Sequence, residues 1–172
     1  VKRIEPKPGL SEEDAKRIRQ KVWASGKPMA PGDVADTYLH SRGLSVRSGT
    51  MVLCVTEAAR HKDGGVFLAM LAAVMDPEGV CVSVHKTFLE KNGKGKADLS
   101  DPRALTPGKL LDGVAVRLFE AAPVMGVAEG IETALAASAL FGMPVWACLN
   151  AAMLVKWTPP EVCQEVAVFA DN

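Results

Sequence analysis

The stretch Val124-Met-Gly-Val-Ala-Glu-Gly-Ile-Glu-Thr-Ala-Leu-Ala136 decides the fold of this chain. Its short apolar run predicts a buried strand that ends at Glu129, and a helical pattern begins directly after Gly130. A second apolar run, Val166-Ala-Val-Phe-Ala170, is also followed by a carboxylate, Asp171. Alternating strand and helix patterns predict βαβ units, and therefore a parallel sheet whose strands end at one common edge.

The carboxylates Glu129 and Asp171 are the candidate site residues. Ligands of open α/β sheets bind at the edge where the strands end, so we expect these two side chains to meet there. Carboxylate oxygens suit Mg²⁺, and an ion at this edge would be placed for phosphate chemistry. The alternative for Glu129 is a simple helix cap. Glu132, one helical turn further on, either supports the metal site or is a first-turn acid favoured by the helix dipole.

The rest of the chain divides into three predicted segments. Residues 1–47 form an N-terminal helical segment, 48–120 a strand-rich mixed subdomain with a basic loop, and 121–172 the parallel α/β unit. Helices are predicted over 11–25, 33–39, 131–141 and 150–157, and strands over 51–55, 66–75, 80–89, 113–119, 124–129, 144–149 and 166–170. Residues 90–113 are predicted to be a long polar connection. The fold class is therefore α/β, an incomplete parallel βαβαβ sheet preceded by a mixed α+β subdomain with antiparallel strands.

The charge is unevenly distributed, although the 172 residues have a formal net charge of zero. Residues 1–117 hold 19 Lys and Arg against 14 acids, whereas residues 118–172 hold one Lys against six acids. A basic front and an acidic rear fit a protein that binds a polyanion and brings metal-binding carboxylates to it. The alternative is that two solvated surfaces simply differ in charge. The candidate nucleic-acid or nucleotide contacts are Lys86, Lys91, Lys94, Lys96, Arg103, Lys109 and Arg117.

Composition excludes several classes of protein. No apolar run reaches transmembrane length, and the charged, proline-containing start does not resemble a signal peptide. The four cysteines are scattered, with no pair or neighbouring histidine at ligand spacing, so we expect reduced thiols, no zinc and a cytoplasmic protein without a membrane partner. His85 is predicted to be a packed or hydrogen-bonded strand histidine, with a nucleotide contact as the alternative. Trp146 and Trp157 are predicted to be core or subdomain-contact residues rather than platforms on which bases stack.

Several stretches together resemble one family. Glu129-Gly-Ile-Glu-Thr-Ala-Leu135 and Phe169-Ala-Asp-Asn172 resemble the Toprim domain of primases, topoisomerases and some nucleases. Four further stretches are similar in sequence to DNA primases of phage and plasmid type: Tyr38-Leu-His-Ser-Arg-Gly-Leu44, His85-Lys-Thr-Phe-Leu89, Val114-Ala-Val-Arg-Leu118 and Pro144-Val-Trp-Ala147. The resemblance covers roughly residues 35–172. It implies a Toprim-type sheet and the synthesis of RNA primers on single-stranded DNA from nucleoside triphosphates.

The same resemblance implies roles for the two acids. Glu129 matches the Toprim glutamate, a general acid/base or metal-associated group. Asp171 matches the first aspartate of the Asp-x-Asp motif for Mg²⁺, with Mn²⁺ as an alternative ion. The second aspartate would follow Asn172, so we expect an incomplete metal motif and an activity that depends on residues beyond it. Such primases commonly carry a zinc-binding module and sometimes a helicase, which makes a replicative helicase a candidate partner. A Toprim nuclease and a non-catalytic nucleic-acid-binding module stay open as alternatives.

Overall fold

The computed structural model describes residues 10–46 and 52–170 of the chain. Within them the elements are α1 (Glu12–Ala24), β1 (Lys27–Pro28), α2 (Val34–Ser41), β2 (Leu53–Arg60), β3 (Val66–Met75), β4 (Cys81–Leu89), β5 (Arg103–Leu105), β6 (Val124–Ala128), α3 (Ile131–Phe141), β7 (Val145–Ala147), α4 (Ala151–Lys156) and β8 (Glu165–Phe169). Strands β1 to β5 form an antiparallel sheet, and β6 to β8 form a parallel one. The predicted fold class is confirmed.

The two N-terminal helices begin at the predicted capping residues. Ser11 Oγ accepts a hydrogen bond from the Asp14 backbone N–H at 3.1 Å, and Asp33 Oδ1 accepts one from that of Asp36 at 2.8 Å. Each cap satisfies a backbone donor that has no partner within the first helical turn. In the part of the chain that the structure describes, no helix combines the length and apolarity that a membrane span requires.

The antiparallel sheet has its strands in the order β1-β2-β3-β4-β5 and is covered on both faces. Val22 and Trp23 of α1 pack against one face, and Tyr38 and Leu39 of α2 belong to the core on the other. Because both faces of β3 are covered, its sequence is an almost continuous apolar run. The predicted turn after β3 is also present, since Asp76 Oδ1 accepts a hydrogen bond from the Val80 N–H at 2.7 Å.

Two predictions for the middle of the chain are wrong. Residues 113–119 are not a strand: the described structure gives them isolated bridges, Met75 with Ala115 and Val116 with Ala147. This segment crosses from one sheet to the other, and its burial between them gives it an apolar, strand-like sequence. The connection 90–113 is not free of regular structure either, because it contains β5, which pairs with β4. A three-residue strand is too short to show an alternating pattern.

The parallel sheet has the order β7-β6-β8, so β6 lies in the centre. Gly126 allows its neighbours to approach closely: a Cβ atom there would lie 2.6 Å from Phe169 Cε2 and 2.9 Å from Val145 Cγ2. Helix α3 follows β6 and begins after Gly130, as predicted, and ends at Gly142, whose positive φ of 67° closes the helix.

The largest hydrophobic core joins the two sheets. It contains Leu53 and Met70 from the antiparallel sheet, Ala128 and Val145 from the parallel sheet, and Leu135 from α3. Packing across this core holds the first turn of α3 against the antiparallel unit. The end of β6 is therefore held in a fixed position relative to the antiparallel sheet.

Candidate functional site

Glu129 lies at the junction between β6 and α3, where the sequence places it. It directly follows the strand and precedes Gly130, the cap residue of the helix, and its side chain is half-buried. Among the described residues the Glu129 side chain has no hydrogen bond or ion pair. Beside it, β8 runs parallel with Ala128 paired to Phe169, so that strand approaches the same edge. Asp171, the predicted second carboxylate, lies outside the described residues.

Glu132 has the opposite environment, since two donors converge on one of its oxygens. The Tyr38 hydroxyl donates to Glu132 Oε1 at 2.7 Å, and Lys96 Nζ lies 2.8 Å from the same oxygen. Tyr38 is on α2 and Lys96 is in the loop between β4 and β5, so these contacts join two separate parts of the chain to the first turn of α3. The side chains are largely shielded, with 17% of Glu132 and 28% of Lys96 exposed.

These contacts decide the charge state of the cluster. Burial acts to raise the pKa of Glu132, but the hydrogen bonds from Lys96 and Tyr38 outweigh burial and hold this pKa at about 2. Burial, together with the hydrogen bond to Glu132, raises the pKa of Tyr38 well above its usual value. At neutral pH Glu132 is therefore a carboxylate and Tyr38 a neutral phenol.

His85 lies beside this cluster on β4. Burial lowers its pKa to about 4, a shift that the charge of Glu132 opposes and that the charges of Arg103 and Lys96 reinforce. The imidazole is therefore neutral at pH 7, and its Nδ1 atom is buried without a hydrogen-bond partner among the described residues. This environment agrees with a packed histidine; its alternative role as a nucleotide contact stays a prediction.

The basic residues of the β4–β5 loop are placed next to α2. Gly93 packs against Thr37, and Ser41 Oγ donates to the Lys94 carbonyl at 3.4 Å. The side chains of Lys91 and Lys94 are exposed, and Arg103 is exposed at the start of β5, opposite Thr87 of β4. The loop therefore presents cations on the side of the molecule where Lys96 reaches α3. Lys109 is exposed further along, next to Gly108, whose backbone approaches Ala15 of α1.

Lys86 and Arg117 make contacts within the protein. Lys86 points to the face of the antiparallel sheet opposite His85, donates to the Arg60 carbonyl at 3.2 Å and lies over the ring of Phe88, 5.4 Å from its centroid. Burial lowers its pKa. Arg117 donates to the carbonyls of Asp76 and Pro77 at 2.5 and 2.8 Å, and its guanidinium lies 4.8 Å from the ring centroid of Trp146. The structure therefore does not bring these two cations to the Glu129 edge.

The donors at the edge suit Mg²⁺ in type, because Glu129 supplies carboxylate oxygen and its side chain has no competing contact among the described residues. Glu132 is already bound by two donors. In residues 10–46 and 52–170 no three acidic, histidine or cysteine side chains form a group that could hold a metal ion. Among the described residues at this edge, Glu129 is thus the carboxylate that could hold a metal ion.

Comparison with known families gives two matches, one for the part of the chain that forms the antiparallel sheet and one for the part that forms the parallel sheet. Residues 13–118, more than half of the chain, match the family model of a domain of unknown function, DUF7146. The chain belongs to the DUF7146 family. In this DUF7146 protein, residues 124–172 match the Toprim domain. A comparison with curated proteins yields no match.

The Toprim match supports a general function for the DUF7146 chain, the metal-dependent processing of nucleic acids. Toprim domains bind Mg²⁺ in general, and the match indicates an enzyme that processes nucleic acids. The matched region contains both Glu129 and Asp171, the two residues that the sequence singled out. Primases, nucleases and topoisomerases share this domain, so the match by itself does not select the type of reaction.

Sequence reasoning did not find the contact between Tyr38, Lys96 and Glu132. It placed Lys96 among the candidate phosphate contacts, left Glu132 undecided and assigned no role to the side chain of Tyr38. The hydroxyl of Tyr38 and its carboxylate partner are 94 residues apart, and no local pattern reports such a pairing. The one available signal was the position of Glu132 in the first turn of a helix that lacks a side-chain cap.

Proposed function

We propose that this chain is the catalytic core of a DNA primase of phage or plasmid type, which synthesises RNA primers on single-stranded DNA by Mg²⁺-dependent nucleotidyl transfer. The observation that carries the proposal is the position of Glu129. It directly follows the central strand of the sheet in the Toprim-matched region, and an ion pair links the first turn of the next helix to a loop rich in lysine.

The acidic edge would hold the metal. Glu129 and Asp171 are the proposed ligands, with Mn²⁺ as a substitute, and Glu129 is also the proposed general acid/base. When bound, Mg²⁺ neutralises charge on the phosphates and orients them. Joining a 3′-hydroxyl to a nucleoside triphosphate, with release of pyrophosphate, requires mainly positioning and charge neutralisation, so a small number of well-placed carboxylates and cations is sufficient.

The basic loop would bind the polyanionic substrates. Lys91, Lys94 and Arg103 are exposed and follow one another along the loop and the start of β5. Flexible cations of this kind suit the backbone of single-stranded DNA or the triphosphate of a nucleotide. The proposed partners are therefore a single-stranded DNA template, nucleoside triphosphates and, in the cytoplasm of the host cell, a replicative helicase.

The test is primer synthesis by the wild-type protein and its Glu129→Gln variant on single-stranded DNA with ribonucleoside triphosphates and Mg²⁺. Glutamine keeps the size of the side chain but removes its charge and its basicity. We expect Glu129→Gln to lower kcat by about 100-fold or more, the scale typical for the loss of a catalytic acid/base. Glu161→Gln, at an exposed acid in the loop before β8, is the matched control and should leave kcat unchanged.

Three results would contradict the proposal. Equal activity of the wild type and Glu129→Gln removes the catalytic assignment. Cleavage of DNA with Mg²⁺ or Mn²⁺ and without nucleoside triphosphates identifies a Toprim nuclease. Salt-dependent binding of single-stranded DNA with no reaction, unchanged when the carboxylates are replaced, identifies a binding module.

A further inference from the structure

We propose that Tyr38, Lys96 and Glu132 form a positioning bridge, which holds the start of α3, and with it Glu129, at a fixed place relative to the β4–β5 loop. This inference rests on the proposed function, because it concerns the placement of the catalytic carboxylate. The three residues act through Glu129 and are not themselves assigned to contact the reacting atoms.

The bridge is defined by two short contacts on one atom. Glu132 Oε1 receives the Tyr38 hydroxyl at 2.7 Å and the Lys96 ammonium group at 2.8 Å. Tyr38 is fully buried in the core that joins the sheets, so its hydroxyl is a rigid donor. Lys96 is anchored as well, because the following residue, Ala97, donates its backbone N–H to the carbonyl of Phe88 in β4 at 2.9 Å.

The shielding of these side chains makes the bridge more than a surface ion pair. The Lys156–Asp112 pair has nearly the same length, 2.9 Å, but its side chains are 51% and 70% exposed. Exposed pairs contribute little because water and salt screen them. A shielded carboxylate is costly unless donors satisfy it, and the removal of either donor from Glu132 leaves that cost partly uncompensated.

The position of Glu132 in the helix explains why the bridge would control Glu129. Helix α3 has no side-chain cap, since Gly130 occupies the cap position. Glu132 is a first-turn side chain that links this end of the helix to α2 and to the β4–β5 loop. Glu129 precedes the cap residue directly, so a tilt or fraying of the first turn moves its carboxylate. A displacement of about 1 Å in a catalytic group can reduce the rate about 100-fold.

The bridge gives Lys96 a different role from that of its neighbours in the loop. An exposed lysine that binds phosphate contributes to substrate affinity, so its loss raises KM. A lysine that positions Glu129 contributes to the chemical step, so its loss lowers kcat. The bridge also predicts that the two charges can be swapped. With a glutamate at position 96 and a lysine at position 132, the ion pair forms again, although the lysine is then on α3.

The experiment compares Lys96→Met, Tyr38→Phe and the exchanged pair Lys96→Glu/Glu132→Lys in primer synthesis and in hydrogen exchange of the metal-free protein. We expect Lys96→Met to lower kcat by about 10- to 100-fold, with KM for nucleoside triphosphates changed less than about twofold. Tyr38→Phe, which loses only the hydroxyl, should lower kcat by about three- to tenfold, the scale of one lost hydrogen bond. Both single variants should speed hydrogen exchange of the backbone amides at the start of α3. The double variant Lys96→Glu/Glu132→Lys should reverse part of the loss in kcat and part of the faster hydrogen exchange.

The matched control is Lys156→Met, which removes the exposed ion pair and should change neither kcat nor exchange at α3. The bridge is overturned, while the proposed function stands, if Lys96→Met keeps the wild-type kcat and the wild-type hydrogen exchange in α3. It is likewise overturned if Lys96→Met raises KM and leaves kcat unchanged. The bridge is also overturned if the double variant Lys96→Glu/Glu132→Lys recovers none of the protection of α3 amides against hydrogen exchange. If the wild type synthesises no primers, the proposed function fails, and the positioning role that rests on it fails with it.

Discussion

At the scale of single residues, two carboxylates three positions apart have opposite environments. Glu129 is half-buried and has no side-chain partner among the described residues, whereas Glu132 is bound by Tyr38 and Lys96. A carboxylate without internal partners is available to a metal ion or a reacting proton. One that is already satisfied by donors is suited to a structural task. The environment of each group therefore separates two acids that the sequence alone left similar.

The depressed pKa of Glu132 predicts a pH-dependent contribution to stability. Its folded pKa of about 2 lies below the ordinary value of 4.5, so its contribution is fully present above pH 4.5 and is lost as the pH falls towards 2. We expect Glu132→Gln to lower the free energy of unfolding by up to about 3 kcal/mol at pH 7, and by progressively less below pH 4.5. Urea unfolding of both proteins between pH 7 and pH 3 measures this difference. A difference that is independent of pH would contradict the assignment.

At the scale of elements, the centre of the parallel sheet depends on a glycine. Strand β6 lies between β7 and β8, and a Cβ atom at Gly126 would meet side chains of both neighbours. The side chains of Phe169 and Val145 occupy the space that a larger residue would need. The close fit of these strands sets the position of the edge at which Glu129 lies.

We therefore expect Gly126→Ala to destabilise the protein by about 1–3 kcal/mol, the usual cost of overpacking a core. The added methyl group would meet Phe169 Cε2 at 2.6 Å, so the ring has to move. Phe169→Leu, which removes most of that ring, should recover part of the loss when it is combined with Gly126→Ala. Thermal unfolding of the two single variants and the double variant measures the coupling. Additive losses would show that Phe169 is not the residue that resists the methyl group.

At the scale of the whole molecule, the two sheets form one unit through a shared core and through Arg117. Its guanidinium donates to the carbonyls of Asp76 and Pro77 after β3 and stacks on Trp146 of β7. The segment that carries it also bridges both sheets, at Ala115 and Val116. The candidate site depends on this union, because its acidic edge and its basic loop come from different sheets.

We expect Arg117→Lys to lower the free energy of unfolding by about 1–2 kcal/mol, although the charge is kept. Lysine can neither stack as a planar group nor reach two carbonyls in the same way. Arg60→Lys, at an exposed arginine that ends β2, is the control and should be neutral. Urea unfolding measures both. Unchanged stability together with weaker binding of single-stranded DNA would instead support the sequence prediction that Arg117 contacts nucleic acid.

The sequence by itself determined the features that depend on neighbouring residues. The caps at Ser11 and Asp33, the turn at Asp76 and the junction of β6 with α3 at Glu129 are all local, because each is specified within a few positions of the chain. The same local signals predicted the long strands β3 and β4 and the parallel α/β unit. For this reason the fold class and the position of Glu129 could be predicted from the amino-acid sequence alone.

Only the tertiary structure decided which distant residues meet. The apolar segment 113–119 looks like a strand because it is buried on both sides, but the two sheets that bury it leave it only isolated bridges. Strand β5 forms because β4 offers it an edge, and not because three residues have a pattern of their own. The partners of Glu132 come from α2 and from the loop after β4, and a contact of this kind exists only once packing has brought those elements together.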